Sequence, residues 1–329
     1  MGRYVFIPFP DKGPMVRRVA RPNARHDRKI EGAWFGALDV ELVCDQPVHV
    51  GSGFKTEEAG KVVRRTARDG DRLLIPGSTM KGVLRSRFEA ITRSCAGDLP
   101  DERARIVSRS YPDVQRGRLK QEVHRLAVFD AACGRGDLIC PACAVFGFQI
   151  SNTSLRGRVS VADFVTAEGI APSIEPMPSQ FGPRLHHLGE FRVVRNDREP
   201  HFEVGPLYGR KFYVGPSPTS DAVGYERVEA IPKGTHLRGT IRIFNLDDAE
   251  LGGLLAALGV TPQSWLKLGS GKHHGFGRIG VRELGHALTD HRRGPRMPDL
   301  AALARAFEAS EDRWEEGARR LVEIHREAC

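Results

Sequence analysis

Apolar and polar residues alternate from Trp34 to Val50, with Leu38, Val40 and Leu42 on one side and Asp39 and Glu41 on the other, which predicts a half-buried strand. Ile75-Pro76-Gly77-Ser78 then stops the extended chain. Met80, Val83, Leu84, Phe88 and Ile91 follow at helical spacing, with Ser78 placed as N-cap. Arg158 to Phe164 alternates again, and Thr235 to Phe244 sets Leu237, Ile241 and Ile243 against Arg238, Thr240 and Arg242, giving two more strands. A second helix is predicted over Asp247 to Gly259: Leu251, Leu254, Leu255 and Leu258 share a face, the first turn is acidic and a glycine ends it. A short strand at Arg278 to Glu283 and one charged amphipathic helix over 297–328 complete the pattern.

Between these elements lie three irregular regions. Residues 1–33 form a basic arm, 96–157 a long insertion, and 169–234 an excursion dense in proline that reads as a protruding loop or hairpin, because proline cannot sit inside a sheet. Asp69-Gly70-Asp71 marks a hairpin turn within residues 51–74. The order strand, helix, strand, excursion, strand, helix, strand over 34–284 predicts an α+β chain with a ferredoxin-like core, followed by a helical extension over 285–329. That fold serves unrelated proteins and assigns no function alone.

Composition narrows the partners. The chain has 329 residues, enough for one elaborated domain or two small ones, and a formal charge of +9 favours a polyanion. No run of 18 apolar residues occurs and the N-terminal stretch holds no signal-peptide core, so the expectation is a cytoplasmic protein with no membrane partner. Of six cysteines, Cys133, Cys140 and Cys143 crowd into eleven residues, unlike the spread of a secreted disulfide framework. Cys140-Pro-Ala-Cys143 with Cys133 nearby points to a structural zinc site, for which Cys95 and His124 are the candidate fourth ligands. A redox role fits less well, since Pro141-Ala142 lacks the thioredoxin-like strand and helix context.

Two glycine-flanked segments carry anion-binding chemistry. Leu268-Gly-Ser-Gly-Lys-His-His-Gly-Phe-Gly-Arg278 allows backbone N–H groups to converge on a phosphate, and Lys272 adds charge. His273 follows that lysine where a nucleotide-hydrolysing loop needs Ser or Thr, and a strand follows where it needs a helix. Gly77-Ser78-Thr79-Met80-Lys81-Gly82 opens a helix, where the dipole favours a phosphate, and Lys81 and Arg85 form a basic stripe one turn apart. Ser78 and Lys81 also match the Ser-x-x-Lys pair of penicillin-recognising enzymes, but the partner motifs of that chemistry are missing. Arg158 to Phe164, Arg210-Lys211-Phe212-Tyr213 and the basic arm place cations beside aromatics, a composition suited to nucleic-acid contacts. The pairs His186-His187 and His273-His274 are read as phosphate-contacting or exposed, the alternative being acid–base work at a 2′-hydroxyl.

Together these strings resemble the RAMP superfamily, and in particular the backbone subunits (the family-seven type) that hold guide RNA in type III and related CRISPR effector complexes. Ile75-Pro-Gly-Ser-Thr-Met-Lys-Gly-Val-Leu-Arg85 resembles IPGSSLKGxxR, Cys140-Pro-Ala-Cys-Ala-Val-Phe-Gly147 resembles CPxCxLFG, and Gly269-Ser-Gly-Lys-His-His-Gly-Phe-Gly277 resembles the C-terminal glycine-rich loop. Pro47 to Gly53, Tyr208 to Tyr213 and Phe244 to Leu251 match further family phrases in order. The resemblance implies an RRM-like core on which crRNA lies, a thumb hairpin over 166–233 that kinks it, pairing with target RNA, and a filament of subunit copies beside other CRISPR effector subunits. It also implies RNA contacts at Ser78, Thr79, Lys81, Gly82, Arg85, Gly269, Gly271, Lys272, His273 and Gly275, and zinc on Cys133, Cys140, Cys143 and a fourth ligand, with Cys95 placed first. Cleaving members carry an aspartate before IPGS, as IDxxV, whereas this chain reads Ala59-Gly-Lys-Val-Val-Arg-Arg65. The expectation is therefore a binding subunit with no assigned catalytic residue, as in cleavage-poor branches such as type III-D. The alternatives are a metal-dependent target-RNA endonuclease using Glu57, Glu58, Asp69 or Asp71, or a guide-processing ribonuclease using His273 or His274.

Overall fold

The computed structural model describes residues 4–10, 21, 24–58, 60–95, 133, 139–150, 152–178, 189–195, 200–214, 225–260, 264–290, 294–295 and 298–327. Five of its strands set the frame: Trp34–Cys44 (β1), Val159–Val161 (β2), Phe164–Thr166 (β3), His236–Leu246 (β4) and Arg278–Asp290 (β5). Among the described residues five helices follow in chain order: Gly77–Ile91 (α1), Pro141–Phe146 (α2), Asp248–Leu258 (α3), Leu300–Glu308 (α4) and Glu315–Glu327 (α5). The chain is α+β.

β1 lies between β5 and β4, antiparallel to both, and both β2 and β3 pair antiparallel with β4. Leu38, Val40 and Leu42 of β1 are buried under α1 and α3, joining Met80, Leu84, Phe88, Leu251, Leu254 and Leu258 in one core. Removing such side chains from water is worth about 1.5–3 kcal/mol each, so the alternation fixes which sheet face takes the helices. The other face keeps Asp39, Glu41 and Glu283 near solvent. Arg72–Ile75 extends the sheet beyond β3, and Arg68–Asp69 closes the predicted hairpin across Gly70.

Several expectations are corrected. Ser78 is exposed and does not cap α1: the helix begins at Gly77 after Pro76, and the Gly77 amide donates to Asp163 Oδ1 at 2.7 Å instead. β5 runs to Asp290 rather than Glu283, because it pairs along the whole of β1 past a bulge between Val281 and Glu283. The single C-terminal helix is two, α4 and α5. The break at 309–314 is held by the Ser310 hydroxyl accepting from the Asp312 amide, and the Trp314 amide donates to Ile91 O at the end of α1.

The proline-rich excursion is only partly a protrusion. Its flanks, Ser173–Pro178 and Tyr225–Ala230, pair with each other and then with Lys61–Thr66 and Gly51–Glu58 in a four-stranded side sheet. Pro176 and Pro178 sit in the edge strand, where no ladder N–H is needed. Gly189–Arg195 and Pro200–Leu207 form a separate hairpin. Arg210–Tyr213 pairs with Tyr4–Ile7 of the N-terminal arm, so part of that arm is a strand. His124, His186, His187 and most of the 96–157 insertion lie outside the described residues.

Candidate nucleic-acid interface and metal centre

The glycine-rich loop is built by close docking against residues 47–50, just beyond β1. A Cβ on Gly269 would fall 2.4 Å from His49 O and one on Gly277 2.0 Å from Leu268 O, and both residues have positive φ. Ser270 and Gly277 donate their amides to His49 O and Pro47 O, while those of His274 and Phe276 go to Gly271 O. The amides of Ser270, His274, Phe276 and Gly277 are therefore committed to the fold rather than turned to an anion. Gly271 and Gly275 flank a single 3-10 turn, Lys272–His274, that presents Lys272 and His273.

That turn faces α1 across a cleft of about 340 Å³. Thr79, Gly82, Val83 and Ser86 line it from α1; Lys267, Leu268, Gly269 and Lys272 line it from the loop. Lys211 and Tyr213 form a third wall, and Trp265 and Ile324 a fourth. Two segments nearly 200 residues apart thus share one basic cleft. Lys272 Nζ donates to Gly269 O at 2.7 Å and Lys267 Nζ to Gln46 Oε1 at 2.9 Å, and an ammonium has three donors to offer. The buried Trp265 indole Nε1 has no partner among the described residues.

Burial, then Arg278 and Lys272, push Lys267 down to about 8, and burial also lowers Lys272. His273 falls to about 4, mainly by burial and then by His274, Lys211 and Lys272, so it is neutral at physiological pH. All three shifts report shielding from water, and those of Lys267 and His273 also report cations held close by. A phosphate arriving there would relieve that repulsion.

Lys81 and Arg85 do not line the cleft. Arg85 turns to the other flank of α1, donating to Glu89 at 2.8 Å, to Gly147 O at 2.8 Å and towards Cys143 Sγ at 3.7 Å. Lys81 Nζ would sit 3.0 Å from a Cβ on Gly157. Arg158 is also removed from the surface: it is fully buried, bonds both carboxylate oxygens of Glu250 at 2.8 and 2.5 Å, and donates to Ala144 O and Asn245 O. It braces α3 against α2 and contacts no ligand surface. The sequence reading passed over Lys267, Trp265 and Ser86; Ser86 follows Ser78 and Gly82 at a spacing of four, a signal that marks one helix face.

The open sheet face presents a second cleft of about 560 Å³ lined by Asp39, Glu41, Asp163 and Glu283 with Arg238. Its carboxylates would repel a phosphate backbone. In the segment before α1, Glu58 pairs with Arg65 and Asp69 with Arg72, while Glu57 is exposed.

A family model described as "RAMPs: RAMP superfamily" matches residues 41–280, nearly three quarters of the chain, and spans both α1 and the glycine-rich loop. The chain belongs to the RAMP superfamily. Among solved structures, one titled "Type IV-B CRISPR Complex" is similar at 16% identity, over 76% of this chain and 90% of that one, with a TM-score of 0.35. No curated protein matches in sequence.

This RAMP chain also carries a cluster of four buried cysteines. The Sγ atoms of Cys95, Cys133, Cys140 and Cys143 lie within 4.8 Å of one another, with Cys95 3.7 Å from Cys143 and 3.5 Å from Cys140. Thiolates at ~2.3 Å around a tetrahedral ion stand roughly 3.8 Å apart, so the four fit a metal. Cys140 caps α2, accepting from the Cys143 amide, and Cys133 accepts from the Cys140 amide. Hydrogen bonds from the other three thiols push Cys95 well below the usual thiol range, while the same crowding pushes Cys140 and Cys143 up. Cys95, four residues beyond α1, joins this cluster, while His124 lies outside the described residues.

Proposed function

We propose that this chain is a crRNA-binding backbone subunit of a CRISPR ribonucleoprotein, with a ferredoxin-like, RRM-like core and a structural zinc on Cys95, Cys133, Cys140 and Cys143. The observation that carries it is the meeting of α1 and the glycine loop on one cleft lined by Lys211, Lys267 and Lys272. Family membership and the strand order β5, β1, β4, then β2 and β3 support the same reading. Phosphates of the guide lie against Thr79, Gly82 and Ser86 on one side and Lys272 and Lys267 on the other. Sequence is read by guide-to-target pairing rather than by the protein. Ser78 and His273 lie beside this path, and Lys81 and Arg85 support it from the metal-bearing flank of α1. The strand runs over the helix and loop end, away from the carboxylates of the open sheet face. Target RNA, other effector subunits and further copies of the chain are its partners in the assembled complex.

The test is RNA affinity of the full chain against salt. Lys272→Ala and Lys267→Ala should each weaken binding similarly for unrelated guide sequences, and each should lower the slope of log affinity against log salt by about 0.7, the value for one phosphate contact on a single strand. Unchanged affinity and slope in both would remove the cleft from the RNA path. The lysines expected to matter thereby differ from Lys81, whose replacement by Ala should have the smaller effect.

A further inference from the structure

Tyr4–Ile7 and Arg210–Tyr213 form a two-stranded ribbon whose two faces have opposite chemistry. Ile7 is buried, Val5 and Phe212 pack on the core, and Arg210 bonds Glu89 and Cys95 O, so this set of alternate positions faces inward. Cross-strand register puts the remaining positions, Tyr4 opposite Tyr213 and Phe6 opposite Lys211, on the outward face. An outward face usually carries polar residues. Here three aromatic rings and one lysine, all half-buried, share that face, and Tyr208, 40% exposed, extends the row.

The rings touch in series. Tyr4 and Phe6 have centroids 5.6 Å apart at 80°, Tyr4 and Tyr213 6.4 Å apart at 71°, and Phe6 and Tyr208 5.4 Å apart at 51°. Lys211 Nζ lies 3.9 Å from the Tyr4 centroid and 4.9 Å from that of Tyr213. Tyr213 is also 5.9 Å from the His273 ring, and both Lys211 and Tyr213 line the basic cleft. An aromatic row with an embedded cation, continuous with a phosphate-sized basic cleft, matches the alternation of base and phosphate along one unpaired strand.

We infer that the outward face of this ribbon is a nucleobase-stacking platform, on which Tyr213, Tyr4 and Phe6 receive bases of the RNA strand whose phosphates occupy the adjoining cleft. The inference rests on the RNA-binding reading above and adds a contact to bases that the phosphate contacts do not require. Stacking is indifferent to base identity because every base has a π face, so the platform holds any guide sequence. Lys211, held between two rings, bridges the platform to the cleft.

The deciding experiment compares the full chain with its Tyr4→Leu/Tyr213→Leu variant, each binding an intact single-stranded RNA and the same RNA with consecutive abasic residues. The unmodified chain should prefer intact RNA by about tenfold or more, within the range expected for base stacking on an aromatic side chain. The variant should bind both RNAs alike, with the salt dependence retained. Equal affinity of the unmodified chain for both RNAs overturns the platform and leaves the phosphate cleft standing. Undiminished preference in the variant overturns it too, as would follow if the aromatic face docks a protein. Binding to neither RNA removes the platform and the RNA reading together. If the variant fails to fold, 2-aminopurine flanked by abasic residues decides on the unmodified chain: quenching on binding supports stacking, and unquenched emission excludes it.

Discussion

Gly82 is an exposed residue in the middle of α1, and a Cβ built on it meets nothing within 4 Å. A helix-interior glycine costs about 0.5–1 kcal/mol relative to alanine, and the fold gives nothing back here. The close approach of RNA to the helix, as proposed above, would account for it. Gly82→Ala should therefore raise stability by about 0.5–1 kcal/mol in denaturant unfolding while weakening RNA binding; a variant that gains stability and binds RNA unchanged would remove Gly82 from the interface. Lys267 supplies a second residue-scale prediction. Its ammonium, pushed down to about 8, gains a partner when a phosphate binds, so binding raises its pKa and takes up a proton. Affinity should then fall as pH rises through about 8, and Lys267→Arg, always charged, should flatten that fall. Equal pH profiles for the two proteins would show that Lys267 does not meet the phosphate. Such roles were half legible in the sequence. Lys272 stands inside a glycine string, whereas Lys267 and Trp265 come to the cleft only because β5 and the end of β1 fold the loop back onto α1.

α1 links two sites through its opposite flanks: one lines the cleft, and the other reaches the cysteine cluster through Cys95 and Arg85. With the proposed zinc removed, four buried thiols would stand against that flank, any ionised ones uncompensated. Cys95→Ser should therefore abolish the bound equivalent of zinc measured by elemental analysis, lower Tm by several degrees and weaken RNA binding as α1 loosens. Full metal content in that variant would return the fourth position to His124. The elements themselves were largely readable, because β1, β4, α1 and α3 each bury one periodic face. What periodicity could not supply were features decided by a partner distant in sequence. The true length of β5 is set by β1, the side sheet forms when the 51–66 hairpin meets residues 173–178 and 225–230, and the break between α4 and α5 is pinned by Ile91. Arg158 was misread for the same reason: its place beside aromatics suggested RNA, and its buried carboxylate partner lies 92 residues away.

Across the whole molecule, the excess of +9 is not spread evenly. Carboxylates of Asp39, Glu41, Asp163 and Glu283 gather on the open sheet face, while Lys211, Lys267 and Lys272 converge where α1, the ribbon and the glycine loop meet. A polyanion is steered to the second region and repelled from the first. The side sheet adds Lys55, Lys61, Arg64 and Arg227 around a third cleft of about 620 Å³. The family match takes in residues of all three clefts and so does not choose among them. Photo-crosslinking of the full chain to single-stranded RNA, with the attached peptides mapped by mass spectrometry, does choose. Crosslinks should fall on peptides containing residues 79–86, 211–213 and 265–273 together. Crosslinks confined to the open face, on residues 37–41 and 238–242, with none on α1 or the glycine loop, would contradict the account.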